Sequence, residues 1–269
     1  MQKTILLTGS TDGIGLATAK MLVSLGHHVL LHGRSPAKLE SAVKEIYGEA
    51  DSGKAETYVA DLSRQDDVKA LAQAVTEKHS KIDVLINNAG ILKTPSPITE
   101  DGMDVRFVVN TVAPYLLAQK LMPLLDSTGR IVNLSSAAQA PVDLQALAGE
   151  VRIDDDFGAY AQSKLALTMW SRQQALALGD GGPVIVAVNP GSLLASKMVK
   201  DAFGIHGGDL NKGAKILTCA ALDDEFESAS GKYFDNDSGQ FADPHPDALD
   251  SQKCDAVVGV IEAILAQHF

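Results

Sequence analysis

Cysteine is nearly absent: the 269 residues hold two, Cys219 and Cys254. Their placement matches no metal-ligand spacing, and the one bridge they allow is a poor framework for a chain this long. A reduced, cytoplasmic protein is the expectation. Positive charge is also short, with 23 Lys and Arg against 34 Asp and Glu and a net charge of -11. Such a surface repels nucleic acid and anionic membranes, which excludes polyanion binding as a function class. Long apolar runs are missing too. Ile5-Leu6-Leu7 is too short for a signal-peptide core or a span, so neither targeting nor a membrane span is expected. The seven histidines are scattered, and no His-x-x-x-His or carboxylate cluster suggests a metal. Asp154 to Asp156 and Asp223 to Glu225 read as solvated acidic loops, and the single Trp170 as packing or a subunit contact. The chain shows no repeat, linker or low-complexity tract.

What is present is a hydrophobic content of 45%, enough for one domain over residues 1–269. Short apolar runs alternate with segments of helical period. The runs are Thr4 to Leu7, Val29 to Leu31, Thr57 to Ala60, Val84 to Ile86, Ile131 to Leu134 and Val184 to Val188. Continuous rather than alternating apolar character marks parallel strands covered on both faces. Helices are expected near 14–25, 36–48, 64–79, 100–125 and 158–178. Right-handed crossovers then give an α/β fold with a doubly wound parallel sheet. Three departures interrupt the rhythm: an inserted loop or short helix over 137–158, a lid over 192–212, and a last strand at Gly231 to Phe234 before a helix near 245–267. The lid mixes Ser192 and glycines with Leu193, Leu194, Met198 and Phe203, which suits a cover over an apolar pocket, although these side chains could equally be core.

Directly after the first run, Thr8-Gly9-Ser10-Thr11-Asp12-Gly13-Ile14-Gly15 opens the first helix. Glycines allow a tight turn and close approach to a pyrophosphate, whose charge the helix N-terminus favours. Alone, the turn is a weak signal. Together with Asn87-Asn88-Ala89-Gly90, Asn110, Ser136, Tyr160-Ala161-Gln162-Ser163-Lys164 and Pro190-Gly191, it resembles the short-chain dehydrogenase/reductase family across nearly the whole chain. Arg34, the long connection before Tyr160 and the tail Phe241-Ala242-Asp243-Pro244-His245-Pro246 look most like its retinol-dehydrogenase-like branch. The resemblance implies a Rossmann-type fold and an oxidoreductase that interconverts a carbonyl compound and an alcohol by hydride transfer, and the lid's apolar side chains point to an apolar one.

Tyr160 and Lys164, four apart in a helical segment, share one face. A lysine ammonium favours the phenolate, so Tyr160 can act as general acid or base. Ser136 stands past a strand end, at the usual ligand crevice of an open sheet, where its hydroxyl can bond the reacting oxygen. By resemblance Ser136 rather than Ser135 is the catalytic serine. Asn110 is a poor helix former. In the family such an asparagine bends the helix and holds a water leading to the lysine, and a bland solvent-facing asparagine is equally open. The resemblance further assigns Gly9, Ser10, Thr11, Asp12, Gly13, Ile14, Asp61, Leu62, Asn88, Ala89, Gly90, Pro190 and Gly191 to the cofactor site, with Tyr160 and Lys164. Asn88 would tie strands, Asp61 would meet the adenine, and Ser196 lies one position off the family's nicotinamide contact.

NAD-specific folds often end the second strand in a carboxylate that binds the ribose hydroxyls. Here the strand ends His32-Gly33-Arg34-Ser35, and Arg34 offers a forked cation to a 2′-phosphate, which points to NADP(H). The partner is then a small carbonyl or alcohol substrate, with a homo-oligomer left open. An epimerase or dehydratase and a non-catalytic NADP(H) sensor are the rival readings.

Overall fold

The computed structural model describes residues 1–48, 52–195 and 197–267. Its strands are β1 (Thr4–Leu7), β2 (His28–Gly33), β3 (Lys54–Val59), β4 (Val84–Asn87), β5 (Arg130–Leu134), β6 (Val184–Asn189), β7 (Tyr233–Asp235) and β8 (Gln240–Ala242). They form one sheet in the order β3-β2-β1-β4-β5-β6-β7-β8. Every neighbouring pair is parallel except β7 and β8. The expected α/β architecture is present, with one strand more than expected. The short Gln-Phe-Ala of β8 is no apolar run, and only its hairpin with β7 defines it.

The continuous apolar runs have a direct cause. Along β1, Leu6 points into one core with Leu85, Ile131, Phe107 and Trp170, whereas Ile5 and Leu7 point into another with Ile86, Val188, Leu22 and Leu217. Both faces are covered, so neither parity of the strand can be polar. The covering helices are α1 (Gly13–Ser24), α2 (Pro36–Tyr47), α3 (Gln65–Lys78), α4 (Val105–Phe107), α5 (Ala113–Leu121), α6 (Leu144–Leu147), α7 (Asp156–Leu178), α8 (Lys197–Phe203), α9 (Leu210–Leu222) and α10 (Ser251–Gln267). No helix among the described residues is long and apolar enough to cross a membrane.

The expected helix over 100–125 is interrupted. It starts at Val105, widens into a π-helical turn over Val108–Val112, and continues as α5 to Leu121. Pro114 explains the widening. It has no N–H to give the carbonyl of Asn110 four residues back, and its ring crowds that oxygen.

The 137–158 connection carries the one-turn α6, capped by Asp143. The acidic run within it is exposed at Asp154 and Asp155, as expected, but two of its residues also hold structure together. Asp155 caps α7 by accepting from the amides of Phe157 and Gly158, and Asp156 pairs with Arg106. Arg106 is buried, and its Nε and Nη2 donate to Asp104 at 2.8 and 2.5 Å. The start of α7 is thus fastened to the start of α4. Trp170 is packing: it is fully buried, edge-on to Tyr115 at 5.5 Å. Tyr115 in turn donates to Glu262 of α10 at 2.8 Å.

Candidate active site

The carboxyl ends of β1, β2, β4, β5 and β6 gather the sequence motifs at one edge of the sheet. At the β1–α1 turn Gly9 has φ +65°, and a Cβ there would lie 2.8 Å from the Cα of Ala89. A Cβ on Gly15 would lie 2.1 Å from the Gly9 carbonyl oxygen. Only glycine fits either place. Asn88 stitches the turn to β4, its Nδ2 donating to the carbonyls of Thr8 and Gly9 at 2.8 and 3.0 Å. The amides of Asn88 and Ala89 both donate to Thr8 Oγ1 at 3.0 Å.

The hydroxyl of Ser10 is buried and occupied, donating to the His32 carbonyl at 3.1 Å and accepting from the His32 amide at 2.9 Å. Ser10 therefore fastens the turn to β2. Asp12 caps α1, accepting from the Gly13 amide at 2.7 Å, which leaves Thr11, Gly13 and Ile14 along the mouth. Arg34 is exposed at the end of β2 and makes no hydrogen bond or ion pair among the described residues. A Cβ at the preceding Gly33 would meet Thr11 Cγ2 at 2.6 Å, so no acidic side chain can stand there unmoved. Beyond β3, Asp61 Oδ1 accepts from the amide and hydroxyl of Ser63 at 3.0 and 2.8 Å, beside the buried Leu62.

Tyr160 and Lys164 sit one turn apart on α7. Lys164 is buried; its Nζ donates to the Leu134 carbonyl at 2.7 Å and lies 5.7 Å from the centre of the Tyr160 ring. Burial lowers its pKa to about 7. A Cβ on Gly90 would be 3.4 Å from Asn110 Oδ1 and 3.5 Å from Lys164 Nζ, so Gly90, Asn110 and Lys164 crowd one spot. Ser136 faces the half-buried Tyr160 phenol, and its Oγ also accepts from the Ala138 amide at 3.1 Å. Ser135 points away, sharing a 2.6 Å hydrogen bond with Thr168.

Burial raises the Tyr160 pKa above its ordinary value, and the contact with Ser136 offsets this in part. The lysine charge expected to bring the phenol down is itself weakened by burial. Within the protein's own groups, desolvation prevails.

Asn110 does not face solvent. Its Oδ1 accepts from the Ile91 amide at 2.8 Å, and its Nδ2 donates to the Ile91 carbonyl and to Ser163 Oγ, both at 2.9 Å. Ser163 donates to the Tyr160 carbonyl at 2.7 Å. The π-helical turn thus holds both the loop after β4 and the helix of Tyr160.

Pro190 and Gly191 follow β6, with Gly191 at φ +113°. The tip of the β7–β8 hairpin fixes this region. Asn236 Nδ2 donates to the Pro190 carbonyl at 2.8 Å and the Lys212 carbonyl at 3.4 Å. The carboxylate of Asp237 accepts from Asn189 Nδ2 at 2.9 Å, the Ser192 amide at 2.8 Å and the Ser192 hydroxyl at 2.5 Å. Further on, the Ala195 amide donates to the Gly208 carbonyl at 2.7 Å and the Gly208 amide to the Leu193 carbonyl at 2.8 Å. Both ends of the 192–212 segment are therefore fastened, and α8 lies between them. Ser196 and the side chain of Phe203 lie outside the described residues. Sequence reasoning missed Arg106, Ser163, Asn189 and Asp237. Only Ser163, inside the Tyr-x-x-x-Lys stretch, carried a local signal.

Next to Tyr160, Phe157 lies with its ring 6.5 Å from that of the tyrosine. Phe157, Leu92, Lys93 and Ala202, with Asp154, Asp155 and Asp156, line a cavity of about 360 Å³. A larger groove of about 1040 Å³ between α1 and α9 holds none of the catalytic candidates.

The family model for short chain dehydrogenases matches residues 3–204. The chain is a short-chain dehydrogenase. It belongs to the retinol-dehydrogenase-like branch, being 31% identical to retinol dehydrogenase 13 of Homo sapiens over 93% of this chain and 80% of that one. Its fold is similar to an uncharacterised protein from Mycobacterium paratuberculosis, with a TM-score of 0.81, 27% identity and coverage of 98% and 93% of the two chains. A metagenomic short-chain oxidoreductase solved in complex with NADP is 30% identical, with a TM-score of 0.62, over 81% of this chain and 90% of that one. This short-chain dehydrogenase is an oxidoreductase, and its family uses a nicotinamide cofactor. The residues present fit that group: the turn at Gly9 and Gly15 is a cradle that a Cβ would fill, and Arg34 stands free beside it. Among the described residues no cluster of three or more His, Cys, Asp or Glu can hold a metal ion.

Proposed function

We propose that this enzyme interconverts an extended apolar aldehyde or ketone and its alcohol with NADP(H), Tyr160 carrying the proton. The convergence of Tyr160, Ser136 and Lys164 beside the glycine cradle is the observation that carries the reading. The cofactor, when bound, exchanges the hydride. Thr11, Asp12, Gly13 and Ile14 with Gly9 would hold its diphosphate, Arg34 its 2′-phosphate, Asp61 and Leu62 its adenine side. Ala89, Gly90, Pro190, Gly191 and Lys164 would hold the nicotinamide half. Asn88 and Ser10 keep the cradle closed.

A phenol held protonated by burial is the form that donates to an alkoxide developing on the carbonyl oxygen, which suits carbonyl reduction. The Ser136 hydroxyl would orient that oxygen. Asn110 holds the loop at Ile91 against the helix of Tyr160. The exposed Phe157 ring beside Tyr160 and the exposed Leu193 favour an apolar substrate body, in keeping with a relative named for retinol. The net charge of -11 and two free cysteines favour a cytoplasmic setting.

The test is NADPH consumption across a panel of aldehydes and ketones, with Tyr160→Phe beside wild type. Removing a general acid costs typically ~10²–10⁴-fold in rate, so kcat should fall at least that far while NADPH still binds. A Tyr160→Phe enzyme retaining a tenth of wild-type kcat sinks the assignment. A sensor would bind NADPH and turn nothing over, and an epimerase would leave the NADPH pool unchanged.

A further inference from the structure

The histidines looked scattered in the sequence, but His32 is buried between two cofactor-facing turns. β2 lies between β1 and β3 in the sheet. The turns that follow those outer strands are therefore two strand spacings apart, roughly 10 Å. The imidazole of His32 reaches both. Its Nδ1 accepts from the Gly9 amide at 3.2 Å, and its Nε2 lies 3.1 Å from the Ala60 carbonyl oxygen. An amide can only donate and a carbonyl can only accept, so the partners fix one tautomer: bare Nδ1, protonated Nε2.

Burial keeps the ring neutral by lowering its pKa to about 4, with Asp61 opposing and Arg34 reinforcing that shift. The same residue's main chain holds Ser10 through three hydrogen bonds, so side chain and backbone of His32 clasp the glycine turn together.

We propose that His32 is a positioning residue of the dinucleotide site, setting the glycine turn against the turn at Asp61. The inference rests on the reading that the dinucleotide lies along these two turns. Both turns face parts common to NADPH and NADH, so losing the tie should weaken both cofactors by one factor. Arg34 acts on the 2′-phosphate alone and should discriminate between them. Asparagine can place its amide oxygen where Nδ1 stands and keep the Gly9 bond. Glutamine can place its amide nitrogen where Nε2 stands and keep only the Ala60 bond.

The experiment measures dissociation constants for NADPH and NADH by calorimetry on the full chain as wild type, His32→Leu, His32→Asn and His32→Gln, with thermal melting as a check on folding. His32→Leu is expected to raise both constants by about tenfold or more, equally for the two cofactors, and His32→Asn to recover all but about threefold. Unchanged constants in a folded His32→Leu overturn the proposal, as does a loss confined to NADPH. Should His32→Leu fail to fold, His32→Asn and His32→Gln decide: each keeps one half of the tie, so the proposal requires both to bind NADPH and NADH more weakly than wild type by one factor, and wild-type constants in both overturn it. A wild-type chain that binds neither cofactor refutes the dinucleotide reading itself.

Discussion

Arg34 keeps its guanidinium in solvent with no protein partner among the described residues. Recruiting it to a phosphate therefore breaks nothing, and a forked, charge-assisted contact is gained outright. Arg34→Ala should raise the dissociation constant for NADPH about tenfold, close to 1.4 kcal/mol, and leave that for NADH in place. Equal losses for the two cofactors would put the arginine on the diphosphate instead. Arg34, Tyr160 and Lys164 could be singled out in the sequence because each stands in a local motif. Ser10 and Asn110 were legible as positions but not as contacts. Their partners, His32 and Ile91, are distant in the chain, and only the folded sheet edge brings them together.

At the level of elements, α7 is held at its first turn by the buried Arg106 and at Tyr160 by the Asn110–Ser163 chain. Removing one partner of a buried ion pair leaves an uncompensated charge, here Asp104, at a cost of roughly 3–5 kcal/mol. Arg106→Met should therefore lower the melting temperature sharply and reduce kcat in the protein that remains folded, because the start of the helix that carries Tyr160 loses its anchor. Asp156 is partly exposed, so Asp156→Asn should cost no more than about 1 kcal/mol. Comparable losses in the two variants would mean that Asp156, not Asp104, is the partner that matters. Strand and helix order was readable from apolar runs, and helix starts from their caps. The break in the 100–125 helix was readable too, from Asn110 and Pro114 four apart, but only to a reader who asked what Asn110's carbonyl would bond. The role of the 154–156 run was not, since its arginine partner lies 50 residues away.

For the whole molecule, burying Lys164 is a stability cost that depends on pH. Its folded pKa of about 7 lies below the ordinary 10.5, so between those values the unfolded chain holds the proton more tightly. Stability then rises with pH across that window, and the cost is fully present below it. Lys164→Met should melt about 3 °C or more above wild type near pH 7, with the gap closing toward pH 10. A constant gap over that range would show that the lysine stays charged when folded. The global fold was legible because a doubly covered parallel sheet writes itself in continuous apolar runs, whereas the short Gln-Phe-Ala of β8 does not. The β7–β8 hairpin fixes Pro190 and Lys212 through Asn236 and Ser192 through Asp237, while the Leu194–Gly208 bridge closes the base of the segment between them. Lengthening a loop whose ends are already pinned costs only ~0.6 kcal/mol per doubling. Added length between Ala195 and Gly207 is thus cheap for folding, whereas Gly207 itself, at φ +67° and with a Cβ position 2.7 Å from the Ala195 nitrogen, must stay glycine. The hairpin therefore gives this stretch room to change in length without disturbing the frame that holds Tyr160 and Lys164.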